Sequence, residues 1–415
     1  MLGDRDVHVI AGVRRPDVAD VAGASEYRAV DLACLQEAPA WSGILSGVDA
    51  VVNLVGIFRE TPEATFDVVQ RVAPIALFAA CRHAGIARVV QLSALGADDA
   101  ARTPFLRTKH AADQALLSGG LEGIVLQPSL VYGDDGQSSG LFRTLAAMPV
   151  AVLPDGGRSP VQPIHVDDVA AAVASALLRP MLGATRRCAL VGPAPMPFRD
   201  YLATLRRAMG FRSHTRVIPV PLALARGAAA VAERLPGAMI SRDAVDMLAR
   251  GNAAPAVETK ALLGRAPRAA DTFIDADRGP ALGIAALMGW IAPLLRWSVA
   301  FLWIVTAAVS LGLYPIADSL ALLERAGVPA ALRPFALYGA ALLDLLLGVL
   351  TVLPRRPRWL WLAQIALILG YTAIISVRLP EFWLHPYGPL TKNIPLLALL
   401  LLLDQLERNR WTTSR

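Results

Sequence analysis

The side chains that could do chemistry in this 415-residue sequence lie in five short motifs between apolar runs. They carry hydroxyl, amine, phenol and imidazole groups, which proteins use to move protons and to hold polar ligands. The motifs are NLVG (53–56), LSALGAD (92–98), FLRTK (105–109), QPSLVYG (127–133) and VQPIHVDDVA (161–170). Whether they form one site depends on the elements that carry them.

Metal and nucleic-acid chemistry are not indicated. Cys34, Cys81 and Cys188 are far apart and lack CxxC spacing, and the six histidines form neither HxxxH nor HExxH. No metal site is therefore predicted, and a reducing compartment suits the cysteines. The net charge is +6, but the arginines are dispersed. Since no basic stripe alternates with aromatics, nucleic acid is not an expected partner.

The first two thirds of the chain alternate apolar runs with helical patterns. Continuous Val, Leu and Ile runs are typical of strands buried on both faces of a parallel sheet. The predicted strands are 7–15, 27–32, 48–56, 87–95 and 123–133, and the helical patterns between them are 65–83 and 109–118. This alternation predicts a Rossmann-like, doubly wound α/β domain.

The five motifs, in this order and spacing, resemble the short-chain dehydrogenase/reductase superfamily over about 7–277. They look most like its atypical NAD(P)-binding branch, which includes the nucleotide-binding accessory subunit of respiratory complex I. In that family the first strand runs into a glycine-rich turn that holds the cofactor pyrophosphate. Neither G-x-G-x-x-G nor G-x-x-G-x-x-G occurs among the 32 glycines.

By the resemblance, residues 7–15 match the second strand of the family. The first strand and its turn, about 25 to 30 residues, are therefore expected to be missing, so that the sheet is truncated at its N-terminal end. We expect that the start codon lies upstream of Met1, because the loss of a central strand would leave two neighbours with unpaired backbone groups. A true truncation or a rearranged sheet is the alternative.

The resemblance also implies a nicotinamide nucleotide along the strand ends. Arg14 and Arg15 follow the strand that reads the adenosine ribose, and arginine suits the 2′-phosphate of NADP(H). No acidic residue ends this strand, so NADP(H) is favoured over NAD(H). The other cofactor-binding residues that the resemblance implies are Asp31, Leu32, Asn53, Gly56, Lys109, Pro128 and Ser129.

The reaction of this superfamily uses a serine, a tyrosine and a lysine four residues after the tyrosine. Ser93 and Lys109 match as catalytic residues, but Phe105 stands at the tyrosine position and has no proton to transfer. The loss of a general acid costs about 10²–10⁴-fold in rate. In HVDDVA, the Asp167 or Asp168 side chain is predicted to cap a helix rather than to take part in catalysis.

Two functions therefore stay open. The first is a membrane-anchored NAD(P)H-dependent oxidoreductase that acts on a quinone or a lipid-soluble substrate. The second is a non-catalytic NADP(H)-binding sensor or assembly factor of a respiratory membrane complex.

The last third of the chain is strongly apolar. Segments 298–317, 335–353 and 359–377 each reach the ~20 residues that cross a bilayer, and a fourth, 394–403, does so only if it extends over 390–406. A segment containing Pro293 precedes them and is predicted to be an interfacial helix. The expected domains are 1–277, a linker or interfacial helix at 278–296, a transmembrane four-helix bundle at 297–405, and a tail at 406–415.

The stretches SLGLYPIADSLALLERAG, ALLDLLLGVLTVLP and LPEFWLHPYGPLTKNIPLLALLLLL resemble the DoxX-like family of four-helix membrane proteins, some of which are linked to quinone redox chemistry. Asp344 lies in the middle of one predicted span, where a lone carboxylate is costly. It is expected either to face a cavity or a quinone head group, or to pair with Arg378 or Lys392.

Basic residues favour one side of the bundle. That side carries Arg296, Arg355, Arg356, Arg358, Arg408, Arg410 and Arg415, and the other carries Arg325, Arg333, Arg378 and Lys392. The positive-inside rule then predicts a multi-pass protein of the bacterial inner membrane, with head and C-terminus in the cytoplasm.

Overall fold

The chain forms two compact units, Met1–Ala286 and Leu287–Arg415. The computed structural model describes residues 7–179, 186–234, 240–354 and 356–408. Its strands are β1 Ile10–Val13, β2 Glu26–Ala29, β3 Ala50–Asn53, β4 Arg88–Leu92, β5 Glu122–Pro128, β6 Val131–Tyr132, β7 Val150–Pro154, β8 Pro160–Val161, β9 Ile164–His165, β10 Arg186–Leu190, β11 Met196–Pro197 and β12 Arg216–Val220. Its helices are α1 Ala73–His83, α2 Pro104–Leu117, α3 Gln137–Ala147, α4 Val166–Leu178, α5 Phe198–Ala208, α6 Leu222–Ala232, α7 Arg242–Arg250, α8 Val257–Leu263, α9 Gly279–Ala308, α10 Ile316–Arg325, α11 Arg333–Val352, α12 Leu360–Arg378 and α13 Asn393–Arg408.

A parallel sheet with strand order β10-β5-β4-β3 forms the centre of the first unit. β1 and β2 form a separate parallel pair, with Ile10 opposite Glu26. The prediction of a parallel α/β head is confirmed. Within the described residues, β1 and β3 belong to different sheets.

Both faces of the central sheet are buried, as its continuous apolar strands predicted. On β4, Val89 packs with Phe78 of α1 and Leu116 of α2, whereas Val90 packs on the opposite face with Val173 of α4. Successive side chains of a strand point to opposite faces, so one apolar run supplies two cores. This is why these strands show no polar alternation.

Helix α2 carries Phe105 and Lys109, and local sequence defines where it begins. The Thr103 side chain accepts a hydrogen bond from the backbone N–H of Leu106, and Pro104 occupies the first turn, where its missing N–H costs nothing. The buried face of α2 includes Phe105, Lys109 and Asp113. Spacing of four residues places these three side chains in one row.

A π-helical turn at Val68–Val72 precedes α1. Pro74 has no N–H to donate to the carbonyl of Gln70, which relaxes the α-helical pattern there. The sequence pattern over 65–83 predicted one regular helix. The turn matters because Gln70 lies in it and is buried.

The second unit is helical, and three stretches of the described chain are long and apolar enough to cross a membrane: Gly279–Leu313, Ala330–Val352 and Leu360–Arg378. The structure differs from the sequence interpretation at 278–296. Helix α9 runs without a break from Gly279 to Ala308, with Pro293 inside it. The predicted interfacial segment therefore continues directly into the first predicted span, since one proline removes a single backbone hydrogen bond and a long apolar helix can continue through it. The interfacial position of this segment stays a prediction.

Close packing and one polar chain hold the second unit together. A Cβ added at Gly348 on α11 would lie 2.8 Å from the Ile304 side chain on α9, so glycine permits this approach. The indole N–H of Trp303 donates to Gln364, whose amide donates to the Thr351 hydroxyl. This buried chain links α9, α12 and α11, and its polar groups satisfy one another.

Candidate functional site

The amine of Lys109 lies at the carboxyl end of the central sheet. Its Nζ donates to the carbonyl oxygen of Leu92, the last residue of β4, at 3.2 Å. It also lies 5.8 Å from the centre of the Phe105 ring and 3.4 Å from where a Cβ on Gly56 would be. The structure therefore brings together Gly56 after β3 and Lys109 on α2, which were predicted from separate motifs.

Gln70 joins this group, although the sequence analysis did not single it out. Its side-chain Oε1 lies 3.5 Å from the same Cβ position on Gly56. This oxygen is buried and has no hydrogen-bond partner among the described residues. Glycine at position 56 leaves room beside a buried acceptor and a buried amine, which is where a hydroxyl or amide of a ligand would fit.

Burial lowers the pKa of the Lys109 amine to about 8, and the nearby Asp113 carboxylate only partly opposes this shift. A buried amine loses hydration of its charged form. Lys109 can therefore carry a positive charge at pH 7 and change protonation close to neutral pH.

Ser93 is part of a buried hydrogen-bond network rather than an isolated hydroxyl. Its Oγ donates to Oδ2 of Asp113 at 2.6 Å, and Nε2 of Gln127 donates to the same oxygen at 3.0 Å. Burial raises the pKa of the Asp113 carboxyl to about 6, against the effect of these hydrogen bonds. Sequence reasoning missed Asp113, although its position four residues after Lys109 places both side chains on the same face of a helix.

Phe105 replaces the phenol with an apolar contact. Its ring is buried, stacks on Phe58 at 5.3 Å and meets the edge of Phe66 at 5.8 Å. The Tyr132 phenol is engaged elsewhere, since its hydroxyl accepts from Arg143 and donates to Asp134. The contacts around Phe105 therefore include no tyrosine hydroxyl among the described residues.

The other predicted cofactor residues fall into different environments. Arg14 and Arg15 directly follow β1, are exposed and form no ion pair with described residues. Asp31 is exposed and accepts from the backbone N–H of Ala33, whereas Leu32 is buried in the core. These positions stay predictions for nucleotide binding.

The remaining motif residues are buried and hydrogen-bonded. Asn53, at the end of β3, donates to Gln91 at 2.8 Å. Pro128 ends β5, and the Ser129 hydroxyl donates to the carbonyl of Gln162 at 2.5 Å. These contacts hold the strand ends that surround the Lys109 amine.

The start of α4 is capped differently from the prediction. Nδ1 of His165, not a carboxylate of Asp167 or Asp168, accepts a hydrogen bond at this terminus, from the N–H of Asp167 at 3.2 Å. The Asp168 carboxylate is fully buried and accepts from Arg265 and from the backbone N–H of Arg268. It joins α4 to the chain beyond α8, so its role is structural.

Asp344 on α11 is buried, with 4% of its surface exposed. Its Oδ1 has no hydrogen-bond partner, and it forms no ion pair with Arg378, Lys392 or any other described residue. The predicted pairing with Arg378 or Lys392 is therefore wrong, because Arg378 lies against Gly327 instead.

The two predicted groups of arginines occupy separate clusters in the second unit. Arg296 and Arg356 both contact Glu407, whereas Arg325 contacts Glu381 and Arg333 contacts Glu324. Arg355, Arg410 and Arg415 lie outside the described residues. The grouping is consistent with two ends of a helical bundle.

Comparisons with known proteins match both parts of the chain. A family model described as NAD(P)H-binding matches residues 1–180, and one described as the DoxX-like family matches residues 300–401. The mitochondrial protein "NADH dehydrogenase [ubiquinone] 1 alpha subcomplex subunit 9" of Arabidopsis thaliana is 29% identical over 192 residues, 45% of this chain and 46% of that protein. The ceramide reductase of Caulobacter vibrioides is 28% identical over 142 residues, 34% of this chain and 44% of that protein. The matches thus span less than half the length of these relatives.

Solved structures share the fold of the head. A nucleoside-diphosphate-sugar epimerase from Staphylococcus aureus superposes with a TM-score of 0.52 at 17% identity, over 64% of this chain and 89% of that one. The triphenylmethane reductase of a Citrobacter species superposes with a TM-score of 0.50 at 18% identity, over the same shares. The chain therefore joins a region that matches an NAD(P)H-binding family model to a C-terminal region that matches the DoxX-like family model, and its head shares the fold of these solved structures.

Proposed function

We propose that this chain is a membrane-held NADP(H)-binding protein that holds the nucleotide without tyrosine-dependent reduction. One observation carries the proposal: the buried Lys109 amine lies beside Gly56 and the unpartnered Gln70 oxygen, with Phe105 where a tyrosine would supply the proton. Ser93 and Lys109 match the superfamily's site residues, whereas Phe105 stands where its general acid would be.

The residues present fit two portions of the nucleotide. The Lys109 amine would donate to a ribose hydroxyl, and Gln70 Oε1 would accept from a hydroxyl or amide beside Gly56. Arg14 and Arg15 would bind the 2′-phosphate of the adenosine, since they are exposed and free of ion pairs with described residues. Bound NADPH would supply a hydride, while these residues bind and orient it.

A second candidate is an oxidoreductase that acts on a quinone or another lipid-soluble acceptor. The Ser93–Asp113 hydrogen bond and the Lys109 amine favour it, because burial brings the pKa values of Asp113 and Lys109 to about 6 and about 8. Groups with such values can hold and release a proton near neutral pH. An acceptor that takes its proton from these groups would not need the missing phenol.

Restoring the phenol tests the proposal against this candidate. NADPH fluorescence and oxidation are measured on the full chain in detergent micelles, with a short-chain ubiquinone or an aliphatic aldehyde as acceptor. We expect wild type to bind NADPH without turnover and Phe105→Tyr to raise turnover by about 10²-fold or more. Phe66→Tyr is the matched control, because it adds a phenol to the same aromatic cluster at another position.

The possible outcomes distinguish the nucleotide-binding protein from the oxidoreductase. Wild-type turnover with ubiquinone, unchanged in Phe105→Tyr, would establish the reductase candidate and overturn our first proposal. A wild type that does not bind NADPH would overturn both.

We further propose that the apolar helices span the bacterial inner membrane with the head and the C-terminus in the cytoplasm, as a partner of a respiratory membrane complex. Support comes from three long apolar stretches and from α13, which would supply the fourth crossing that brings both ends to the same side. The arginines around Glu407 and the similarity to a protein named as a subunit of an NADH dehydrogenase support it as well. Reaction of Cys34, an exposed thiol of the head, with an impermeant maleimide tests the orientation. Labelling in intact spheroplasts would contradict it, and labelling only after lysis is expected.

A further inference from the structure

A pocket in the helical unit is lined by none of the residues proposed to bind the nucleotide. It is a cavity of about 810 Å³ between the chain that enters α12 and the last turn of α13. Arg356, Arg358 and Trp359 line it on the α12 side, and Asp404 and Glu407 line it on the α13 side. Its walls therefore combine cationic and acidic groups with aromatic and aliphatic side chains.

The charges around this pocket do not cancel. Glu407 contacts both Arg356, at 2.9 Å, and Arg296, at 3.3 Å, and Asp404 contacts Arg408 at 2.7 Å. Arg358 is exposed and forms no ion pair with described residues. Four arginines thus meet two carboxylates, which leaves a net charge of +2 beside the cavity.

The two carboxylates cannot turn to neutralise Arg358, because other groups hold them. The indole N–H of Trp361 donates to Oε2 of Glu407 at 2.7 Å, while Arg356 takes Oε1. The Asp404 side chain has only 4% of its surface exposed. The two carboxylates are therefore held by other groups, which leaves the charge of Arg358 available to an anion.

The surroundings of Arg358 favour an anion attached to an apolar chain. Trp359 and Leu362, both on the pocket wall, expose 53% and 48% of their surfaces. Trp359 immediately precedes α12, and Leu362 lies in its first turn. Helix α12 is one of the helices long and apolar enough to span a membrane. Exposed tryptophan and leucine next to arginine are typical of the boundary between lipid headgroups and acyl chains.

We propose that this pocket binds a phosphate group through Arg358 and Arg408, as presented by an anionic phospholipid headgroup. Arginine binds phosphate oxygens through charge-assisted, often bidentate hydrogen bonds. The acyl chains would lie along Leu362 and α12. A soluble phosphate compound offers the same chemistry, and the lipid as its source rests on the membrane insertion proposed above.

The test uses the full chain in detergent micelles and native mass spectrometry. The protein is titrated with phosphatidylglycerol or with phosphatidylcholine of the same acyl chains, and separately with inorganic pyrophosphate as competitor. Arg358→Gln is the main variant, because no ion pair with a described residue depends on Arg358. Arg408→Gln is paired with the control Arg325→Gln, since these two arginines each expose 53% of the side chain and lie in different clusters.

We expect tighter binding of phosphatidylglycerol than of phosphatidylcholine, and a loss of about fivefold for the former in Arg358→Gln and Arg408→Gln. Arg325→Gln should bind like wild type. If pyrophosphate displaces phosphatidylglycerol from wild type and does so less effectively in Arg358→Gln, the phosphate site is supported and its natural ligand is assigned to a soluble phosphate compound. Equal binding of phosphatidylglycerol by wild type and both pocket variants would overturn the proposal. The pocket variants should bind NADPH like wild type in both cases.

Discussion

Replacing Lys109 with methionine should stabilise the head and weaken nucleotide binding at the same time. The side chain is 6% exposed, and burial lowers the pKa of its amine from 10.5 to about 8. That change corresponds to a cost of about 3 kcal/mol for keeping the amine charged in the folded protein at pH 7. The hydrogen bond to the Leu92 carbonyl returns about 1 kcal/mol of this. Methionine has a similar length and no charge, so the expected net gain in unfolding free energy is about 2 kcal/mol.

The pKa of Lys109 also determines how the free energy of unfolding changes with pH. Between pH 8 and 10.5 the unfolded chain holds a proton on Lys109 that the folded chain has released, so wild-type stability should rise with pH in this window. Lys109→Met lacks that slope, and its advantage over wild type should vanish above about pH 10. Pulse proteolysis in urea, applied to the full chain in micelles, measures both curves.

NADPH fluorescence titration supplies the second readout. We expect at least about a tenfold loss of affinity in Lys109→Met, because a charge-assisted hydrogen bond contributes about 1.5–3 kcal/mol. Lys260→Met, at an exposed position on α8, is the control and should change neither quantity. A variant that is both less stable and binds NADPH normally would show that Lys109 supports the fold and not the nucleotide.

Three further predictions concern other parts of the chain. Because burial raises the pKa of Asp113 from 3.8 to about 6, the folded state binds the extra proton between these values, and wild-type stability should fall by about 2 kcal/mol from pH 4 to pH 6. Asp113→Asn should flatten that part of a urea-unfolding profile, and an unchanged profile would contradict the burial argument. Gly348→Leu should lower the melting temperature of the helical unit, because even a Cβ at this position would lie 2.8 Å from α9. Gly339→Leu should not lower it, because nothing lies within 4 Å of a Cβ at that position. Equal melting temperatures of the two variants, measured by circular dichroism in micelles, would refute the close packing. Replacing Arg14 and Arg15 with alanine should weaken NADPH binding by about tenfold or more and leave NADH binding unchanged, as measured by fluorescence titration. Equal losses of affinity for the two nucleotides would exclude recognition of the 2′-phosphate by these arginines.

Fold class and domain order were predictable because they follow from patterns that are local in the sequence. Continuous apolar runs such as 87–95 predict strands buried on both faces, and Val89 and Val90 indeed pack into opposite cores. The apolar stretches after residue 279 predict membrane-type helices by length alone. The structure adds that the predicted helix containing Pro293 continues into the first apolar stretch, which the sequence interpretation had treated as a separate segment.

The site depended on contacts between residues far apart in the chain. Sequence comparison could mark Ser93, Lys109 and Phe105, but only the structure shows that Ser93 donates to Asp113. Likewise, only the structure shows that Gln70, in a π-helical turn before α1, lies beside Gly56.

The sequence by itself thus indicated an α/β head with the motifs of an NAD(P)-binding family, an apolar helical tail and a phenylalanine, Phe105, at the position where that family has tyrosine. Tertiary structure alone decided which buried groups share hydrogen bonds, which atoms, such as Oδ1 of Asp344, have no partner among the described residues, and where positive charge exceeds negative charge near Arg358. The physical reason is that burial and pairing depend on atoms brought together by packing, and these set the energies of charged and polar groups.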